Sequence, residues 1–399
     1  MSNSDLSPGS AHASGPLVGI RVIDMSSIIA GPGVARHLAD MGADVVKVEP
    51  PGGDPLRRMG WLAPDGDSYY WKLVGRNKHT VTLNLKDPAD LASIQDLIRS
   101  ADLLIENMRP GKLEELGLAP AELLAQNPAL VILRLTAFGQ HGPYAHRPGF
   151  ATLAEAMSGL AGIAGEPDGP PLLPPVALTD EVAAMAGAFA GLAALWHARS
   201  TGEGQVVDVN LLRTALQLLG PLPSAYAHLG YEQPRMGSML PYTVPRGTFE
   251  CADGLWVAVS ASSDSVAGRL LEVLGLGEDE RFASFATRVA NRGVLDAALA
   301  AWIAVRPQHD VLAQLELADV AVAPVYTMSD VLADPHLKAT AAFVEVDGTI
   351  MQSPIADFDR TPLVVWCAGA VRNQDAGHDV AFSPVDDLEV SPPDGHRSG

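Results

Sequence analysis

The 399-residue chain is 47% hydrophobic and carries 47 acidic against 27 basic residues, a formal net charge of −20. That length can bury a large core and predicts two or three domains, while the acidic balance leaves no basic stripe to neutralise nucleic-acid phosphates, so no nucleic-acid partner is expected. Two distant cysteines, Cys251 and Cys367, give neither a disulfide framework nor zinc-ligand spacing; the polar opening residues and the interrupted apolar runs predict a cytoplasmic location and no membrane partner.

Residues 1–16 are rich in Ser, Gly and Pro and are expected to be a disordered tail. Order is expected to begin at GIRVIDM (19–25), a buried strand, followed by a helix over 32–41 and a second strand, ADVVKVE (43–49). Strand, helix and strand at this spacing form a βαβ unit with parallel pairing. HTVTLNL (79–85) reads as a strand, and residues 88–100 as a helix opened by Pro88. ADLLIEN (101–107) and ALVILRLT (129–136) read as strands, with a helix near 112–126 between them. The Gly-rich loop FGQHGPYAHRPG (138–149) comes next.

Residues 180–199 form a helix that is apolar almost all round and therefore expected to be buried. Asp180 and Glu181 stand in its first turn, Arg199 in its last, and Thr179 is the expected N-cap. GEGQVVDVNL (202–211) adds a strand, and the Pro-, Gly- and Tyr-rich stretch 220–246 reads as a linker. TVPRGTFEC and LWVAVS form a hairpin about Ala252-Asp253-Gly254. Helical patterns fill 264–318, and VAVAPVY (320–326) and FVEVDGTIMQS (343–353) return to strand.

The first βα turn holds Gly31-Pro32-Gly33 but not the G-x-G-x-x-G fingerprint, which argues against a nicotinamide cofactor. It is either a plain helix start or a rest for the phosphates of a nucleotide-bearing ligand. Basic residues collect in three loops: Arg57 and Arg58; Arg76, Lys78 and His79; Arg109 and Lys112. Each alone is ordinary surface, but together they suit a polyphosphate. Asp180 is either a dipole-stabilising acid or a carboxylate nucleophile kept ionised at a helix N-terminus. No histidine triad and no G-x-S-x-G occurs.

Eight stretches, in order, resemble the class III coenzyme A transferases, the CaiB/BaiF family of formyl-CoA transferase, carnitine CoA-transferase and α-methylacyl-CoA racemase. They are LVGIRVIDMSSIIAGP, LADMGADVVKVEPPGGDPLR, GRNKHTVTLNL, ADLLIENMRPGKLEELG, TAFGQHGPYAHRPG, the TDEVAAMAG helix, TGEGQVVDVNL and APVYTMSDVLADPHL, spanning roughly 17–347. The resemblance implies an α/β fold: a Rossmann-like large domain formed by both chain ends, an inserted small α+β domain, and an interlocked, ring-like homodimer. On that basis 17–222 is the large CoA-binding domain, 223–325 linker and small domain, and 326–399 the return segment.

The implied reaction moves CoA from an acyl-CoA donor to a carboxylic acid through an aspartyl-CoA thioester on Asp180. CoA and acyl-CoA are substrates, with no permanently bound cofactor and no metal. The resemblance places CoA contacts near Ser27, Ile28 and Ala30, at Asn77 and Lys78 of its NK element, and at Asn107, Met108 and Arg109 of its EN-x-RPG loop. Arg57 and Lys112 join them as cations, and the Phe138, Gly139 and Gln140 backbone is the candidate oxyanion site. Ile29 stands where formyl-CoA transferase has glutamine, and Gly149-Phe150-Ala151 where the racemase branch has a histidine. The long Gly-rich flap is replaced by RMGSMLPYTVPRG (235–247). A racemase and a non-catalytic CoA-binding protein are the alternatives.

Overall fold

The computed structural model describes residues 14–370 and residue 382. Six short runs dominated by Val, Ile and Leu pair in parallel: β1 (Arg21–Asp24), β2 (Asp44–Glu49), β3 (His79–Thr82), β4 (Leu103–Glu106), β5 (Val131–Thr136) and β6 (Val206–Asn210). Their order across the sheet is β3-β2-β1-β4-β5-β6, the doubly wound order whose direction of travel reverses between β1 and β4. Register pairs Ile23 with Val46 on one side and with Leu104 on the other. Two apolar layers cover this sheet. Val22, Val45, Leu103 and Leu133 belong to one, together with Val34 and Leu38 from helix Ala30–Asp40 and Ala184 and Leu195 from helix Leu178–Thr201. Ile23, Val46, Leu104 and Ile132 belong to the other, with Ile94 and Ile98 from helix Pro88–Ser100.

The described chain divides into two units: residues 14–158, 174–218 and 341–370 in one, 159–173 and 219–340 in the other. The first also holds an antiparallel hairpin, β10 (Phe343–Val346) and β11 (Thr349–Gln352). The second has a three-stranded antiparallel sheet, β7 (Arg246–Glu250), β8 (Trp256–Ser260) and β9 (Val322–Pro324). Val257, Val259, Leu270, Leu299 and Leu315 bury its helices against that sheet.

Several expectations are corrected. The first unit resumes at 341 rather than 326, because helices Met328–Ala333 and Pro335–Ala339 belong to the second unit. Segment 159–173 also belongs to the second unit. Stretch 220–246 is not all linker: Leu222–Leu229 is helical, with Pro221 at its start and no buried residue to give it an apolar stripe. The helix near 112–126 is two, Lys112–Glu115 and Pro120–Gln126, interrupted at Gly117-Leu118-Ala119. Residues 14–16 are ordered: Gly15 lies so close to the Met41–Gly42 turn that a Cβ there would meet Met41 O at 2.3 Å. The rest of the expected tail, 1–13, and most of 371–399 lie outside the described residues.

Helix Leu178–Thr201 starts two residues earlier than expected, with Ala177 and not Thr179 as N-cap. It is long and apolar enough to cross a membrane by length and composition, a reading its sequence had seemed to exclude. One face, including Ala183, Gly187, Gly191 and Leu195, packs into the core, as a core helix does. The helix is nevertheless not buried all round, since Met185, Phe189 and Trp196 are exposed, the last two at 77%.

Candidate active site

The site lies outside the carboxyl ends of the strands, where the strand order reverses. Asp24 ends β1 fully buried. Its carboxylate accepts hydrogen bonds from Ser26 N at 3.0 Å and from Lys78 Nζ at 3.0 Å. Lys47 Nζ lies 3.7 Å from Asp24 and 3.2 Å from Asp54. Burial opposes the charge on Asp24, but Lys47, Lys78 and Ser26 outweigh it and hold the carboxyl below its usual range. Two buried acids and two buried ammonium groups thus form a balanced floor.

On this floor, chain 25–29 turns sharply. Ile28 has φ 70°, a left-handed conformation that costs a β-branched residue about 1–3 kcal/mol. Its neighbours hold it there. Asn107, just after β4, accepts from Ser27 N at 2.9 Å and donates to Ser27 O at 2.8 Å. Ile28 N donates to Asp54 Oδ1 at 3.3 Å. Helix Ala30–Asp40 then begins with no side-chain cap, so its first N–H groups take no side-chain partner.

The glycines of this turn serve packing. A Cβ on Gly31 would meet Ser26 Cβ at 2.4 Å. One on Gly33 would meet Ala184 Cβ at 2.7 Å, and one on Gly187 would meet Val34 Cγ2 at 2.6 Å. Bare backbone lets helix Leu178–Thr201 lie against helix Ala30–Asp40, and Ala177 joins Ile28, Ile29 and Tyr70 in one apolar cluster. This brings the start of the long helix to the first loop.

Asp180 is the third residue of that helix and is partly buried. Burial, then the charge of Glu155, then that of Glu181 push its carboxyl up to about 6. The dipole alone does not keep it ionised as freely as expected, yet about nine-tenths of it is still charged at pH 7. Glu181 turns aside: Arg36 Nη2 lies 3.2 Å from it, and the Tyr70 hydroxyl donates to it weakly at 3.5 Å. Burial and the adjacent Glu181 and Asp180 push the Tyr70 phenol up. Arg36 also contacts His37 Nε2 at 2.9 Å, and burial together with Arg36, Arg76 and Lys78 pushes His37 down to about 3, leaving it neutral.

Of the residues expected to meet the ligand, Ser27, Ile28, Ala30 and Asn107 come together at the first loop. Met108 follows Asn107, its N–H held by Glu106 at 2.7 Å. Arg109 is exposed and makes no ion pair among the described residues; Lys112 is exposed and meets Glu115 at 2.8 Å.

Three side chains expected to contact CoA are engaged elsewhere. Arg57 forms a two-pronged pair with Glu49 (2.6 and 2.8 Å), another with Asp67 at 2.7 Å, and stacks on Trp71. Lys78 is fully buried on Asp24 and Pro32 O. Asn77 donates to Asp40 and Val364 O and accepts from Trp366 N, tying down the late chain segment. The candidate oxyanion loop is likewise corrected: Gly139 N donates to Thr136 Oγ1 and Gln140 N to Asp208 Oδ2, each at 2.9 Å, and Phe138 packs edge-on against Tyr144. Phe150 is exposed. A cavity of about 360 Å³ in the second unit, lined in part by Ser238, Arg246, Thr248 and Ser260, includes none of the expected site residues.

Sequence reading missed Glu155, Arg36 and Tyr70. Glu155 and Arg36 do carry a signal: each is a charged side chain inside an otherwise apolar helical stretch, ATLAEAMS and GVARHLA. Among the described residues no group of His, Cys, Asp and Glu is arranged to hold a metal ion.

A doubly wound parallel sheet accompanied by a partly buried aspartate at the start of a long helix defines an α/β protein with an acidic candidate site. The model of CoA-transferase family III matches residues 17–374. The chain is 35% identical to succinyl-CoA–D-citramalate CoA-transferase of Chloroflexus aurantiacus, over 94% of this chain and 96% of that protein. It is 36% identical to the alpha subunit of succinyl-CoA–L-malate CoA-transferase of Chloroflexus aurantiacus, over 89% and 86%. The crystal structure of a CAIB/BAIF family protein from Brucella suis superposes with a TM-score of 0.81 at 32% identity, covering 90% of this chain and 97% of that one. The chain belongs to CoA-transferase family III, a family that uses CoA thioesters as substrates, and is a CoA-transferase.

Proposed function

We propose that the protein moves CoA from succinyl-CoA to a second small dicarboxylic acid, with Asp180 as the covalent carrier. The observation that carries this is Asp180 itself: a carboxylate at a helix start, partly withdrawn from water and pushed up to about 6, beside a loop with uncapped backbone donors. An Asp180 oxygen attacks the thioester carbonyl, giving a mixed anhydride and CoA thiolate. The thiolate attacks the Asp180 carboxyl carbon and releases succinate, leaving an aspartyl-CoA thioester. The acceptor carboxylate attacks that thioester, and the freed thiolate then takes the acceptor's acyl group, restoring Asp180. One thioester replaces another, so no ATP is consumed. Withdrawal from water protects both anhydrides from hydrolysis.

The choice of donor and acceptor rests on the two relatives named above, which pair succinyl-CoA with citramalate and with malate. The Ser27–Ala30 turn and Asn107–Met108 hold the CoA pantetheine and phosphate chain. Arg109 and Lys112 meet the phosphates, the weak exposed pair with Glu115 yielding easily. The test is Asp180→Asn, which keeps side-chain volume and removes the nucleophile. We expect exchange between succinyl-CoA and citramalate or malate to fall at least about a thousandfold. Substantial residual exchange would point to direct transfer or to another nucleophile.

We further propose that two chains form the interlocked homodimer, the partner covering the exposed Met185, Phe189 and Trp196 face of the long helix.

A further inference from the structure

Glu155 is 4% exposed on helix Ala151–Ser158, whose Ala154 shares a core with Ala183 and Ala184 of the long helix. Its Oε1 accepts the Thr179 N–H at 3.4 Å, one residue before Asp180. Glu181 has Arg36 beside it, whereas Glu155 forms no ion pair with any described residue. A buried acid with one long backbone hydrogen bond and no cation is costly to keep, and the proposed chemistry does not use it as a reacting group.

We infer that Glu155 is a positioning residue for the transfer: its charge, held against the start of the long helix, drives Asp180 toward the covalently occupied state. This rests on the reading of Asp180 as nucleophile. In the net first half-reaction, the acyl C–S bond of the donor breaks, a C–S bond forms on the Asp180 carboxyl carbon, and one carboxylate oxygen leaves with the released acid. The negative charge therefore departs from Asp180. The groups around Asp180 are Glu155 from helix Ala151–Ser158, Glu181 on its own helix and Tyr70 from helix Tyr69–Val74, while Arg36 from helix Ala30–Asp40 is taken by Glu181 and by the neutral His37. Repulsion from the unpaired Glu155 is lost when Asp180 becomes a neutral thioester, so the covalent state is favoured relative to the free carboxylate. The same repulsion, second only to burial, favours the protonated form of Asp180.

Glu155→Gln tests this, since the amide oxygen still accepts from Thr179 N while the charge is gone. At a fixed ratio of succinyl-CoA to succinate, mass spectrometry reads the fraction of enzyme carrying CoA on Asp180. The ratio of occupied to free enzyme should fall about three- to tenfold, and the acid limb of kcat/KM should move down by about half to one pH unit. The thermal midpoint should hold or rise. A folded variant with an unchanged ratio and limb overturns the inference. Loss of folding also overturns it, because removing a repulsive charge cannot unfold the chain on this account. Wild-type enzyme that never carries CoA on Asp180 defeats the nucleophile itself, and the role of Glu155 with it.

Discussion

Of the three carboxyls at the start of the long helix, only Glu181 has a cation beside it, Arg36 at 3.2 Å. Asp180 therefore holds its charge against burial, Glu155 and Glu181. A folded-state value of about 6 against an unfolded value near the usual ~3.9 fixes the signs. Above pH 6 both states are charged and the fold bears the full penalty. As pH falls from 6 to 4 the folded state takes up the proton first, and the penalty is relieved. Asp180→Asn should thus raise stability by about 1–2 kcal/mol at pH 7.5, with the gain gone near pH 4, in denaturant unfolding at both pH values. Activity runs the other way: wild-type kcat/KM should fall tenfold per unit below a limb near pH 6. A limb no higher than pH 4.5 would contradict the environment described for Asp180. From sequence, Asp180 was legible as an acid opening an apolar helix. Its raised pKa was not, because Glu155 lies 25 positions earlier and only packing brings it close.

At the scale of elements, the six parallel strands were legible because each is a short apolar run between turn or helix signals, and helix Pro88–Ser100 matched to the residue. The long helix was found but its exposure was not. An apolar composition cannot tell a face packed on Val34 and Leu133 from one left bare at Phe189. The Gly-Pro-Gly turn was ambiguous for a related reason: sequence shows the glycines, while the structure shows what a Cβ would strike. Gly187→Ala puts a methyl 2.6 Å from Val34 Cγ2, in a junction between two core helices. We expect a loss of about 1–3 kcal/mol in urea unfolding and a raised KM for succinyl-CoA as the first loop shifts. Wild-type stability and KM in that variant would show that the two helices do not need the bare backbone.

For the whole molecule, the boundaries of the two units were not legible in the sequence. Helix Leu222–Leu229 and the two short helices over 328–339 carry too few buried residues to announce where they belong. The basic loops were misread most. In a chain of net charge −20, Arg57, Arg76 and Lys78 looked like cations held for a polyanion. Each instead neutralises a buried acid, Glu49, Asp40 and Asp24 respectively. The proposed assembly makes its own prediction. Wild-type protein should run as a dimer at micromolar concentration without dissociating on dilution, and Phe189→Glu should lower the midpoint of unfolding. A folded wild-type monomer would count against the interlocked arrangement.

The covalent role of Asp180 is tested most directly by mass spectrometry of the wild-type protein given succinyl-CoA and no acceptor. The account predicts a species heavier by CoA less one water, with the added mass on the peptide containing Asp180, and its disappearance when the acceptor acid is supplied. An enzyme that exchanges CoA rapidly yet never carries that mass, or carries it on another residue, would contradict it.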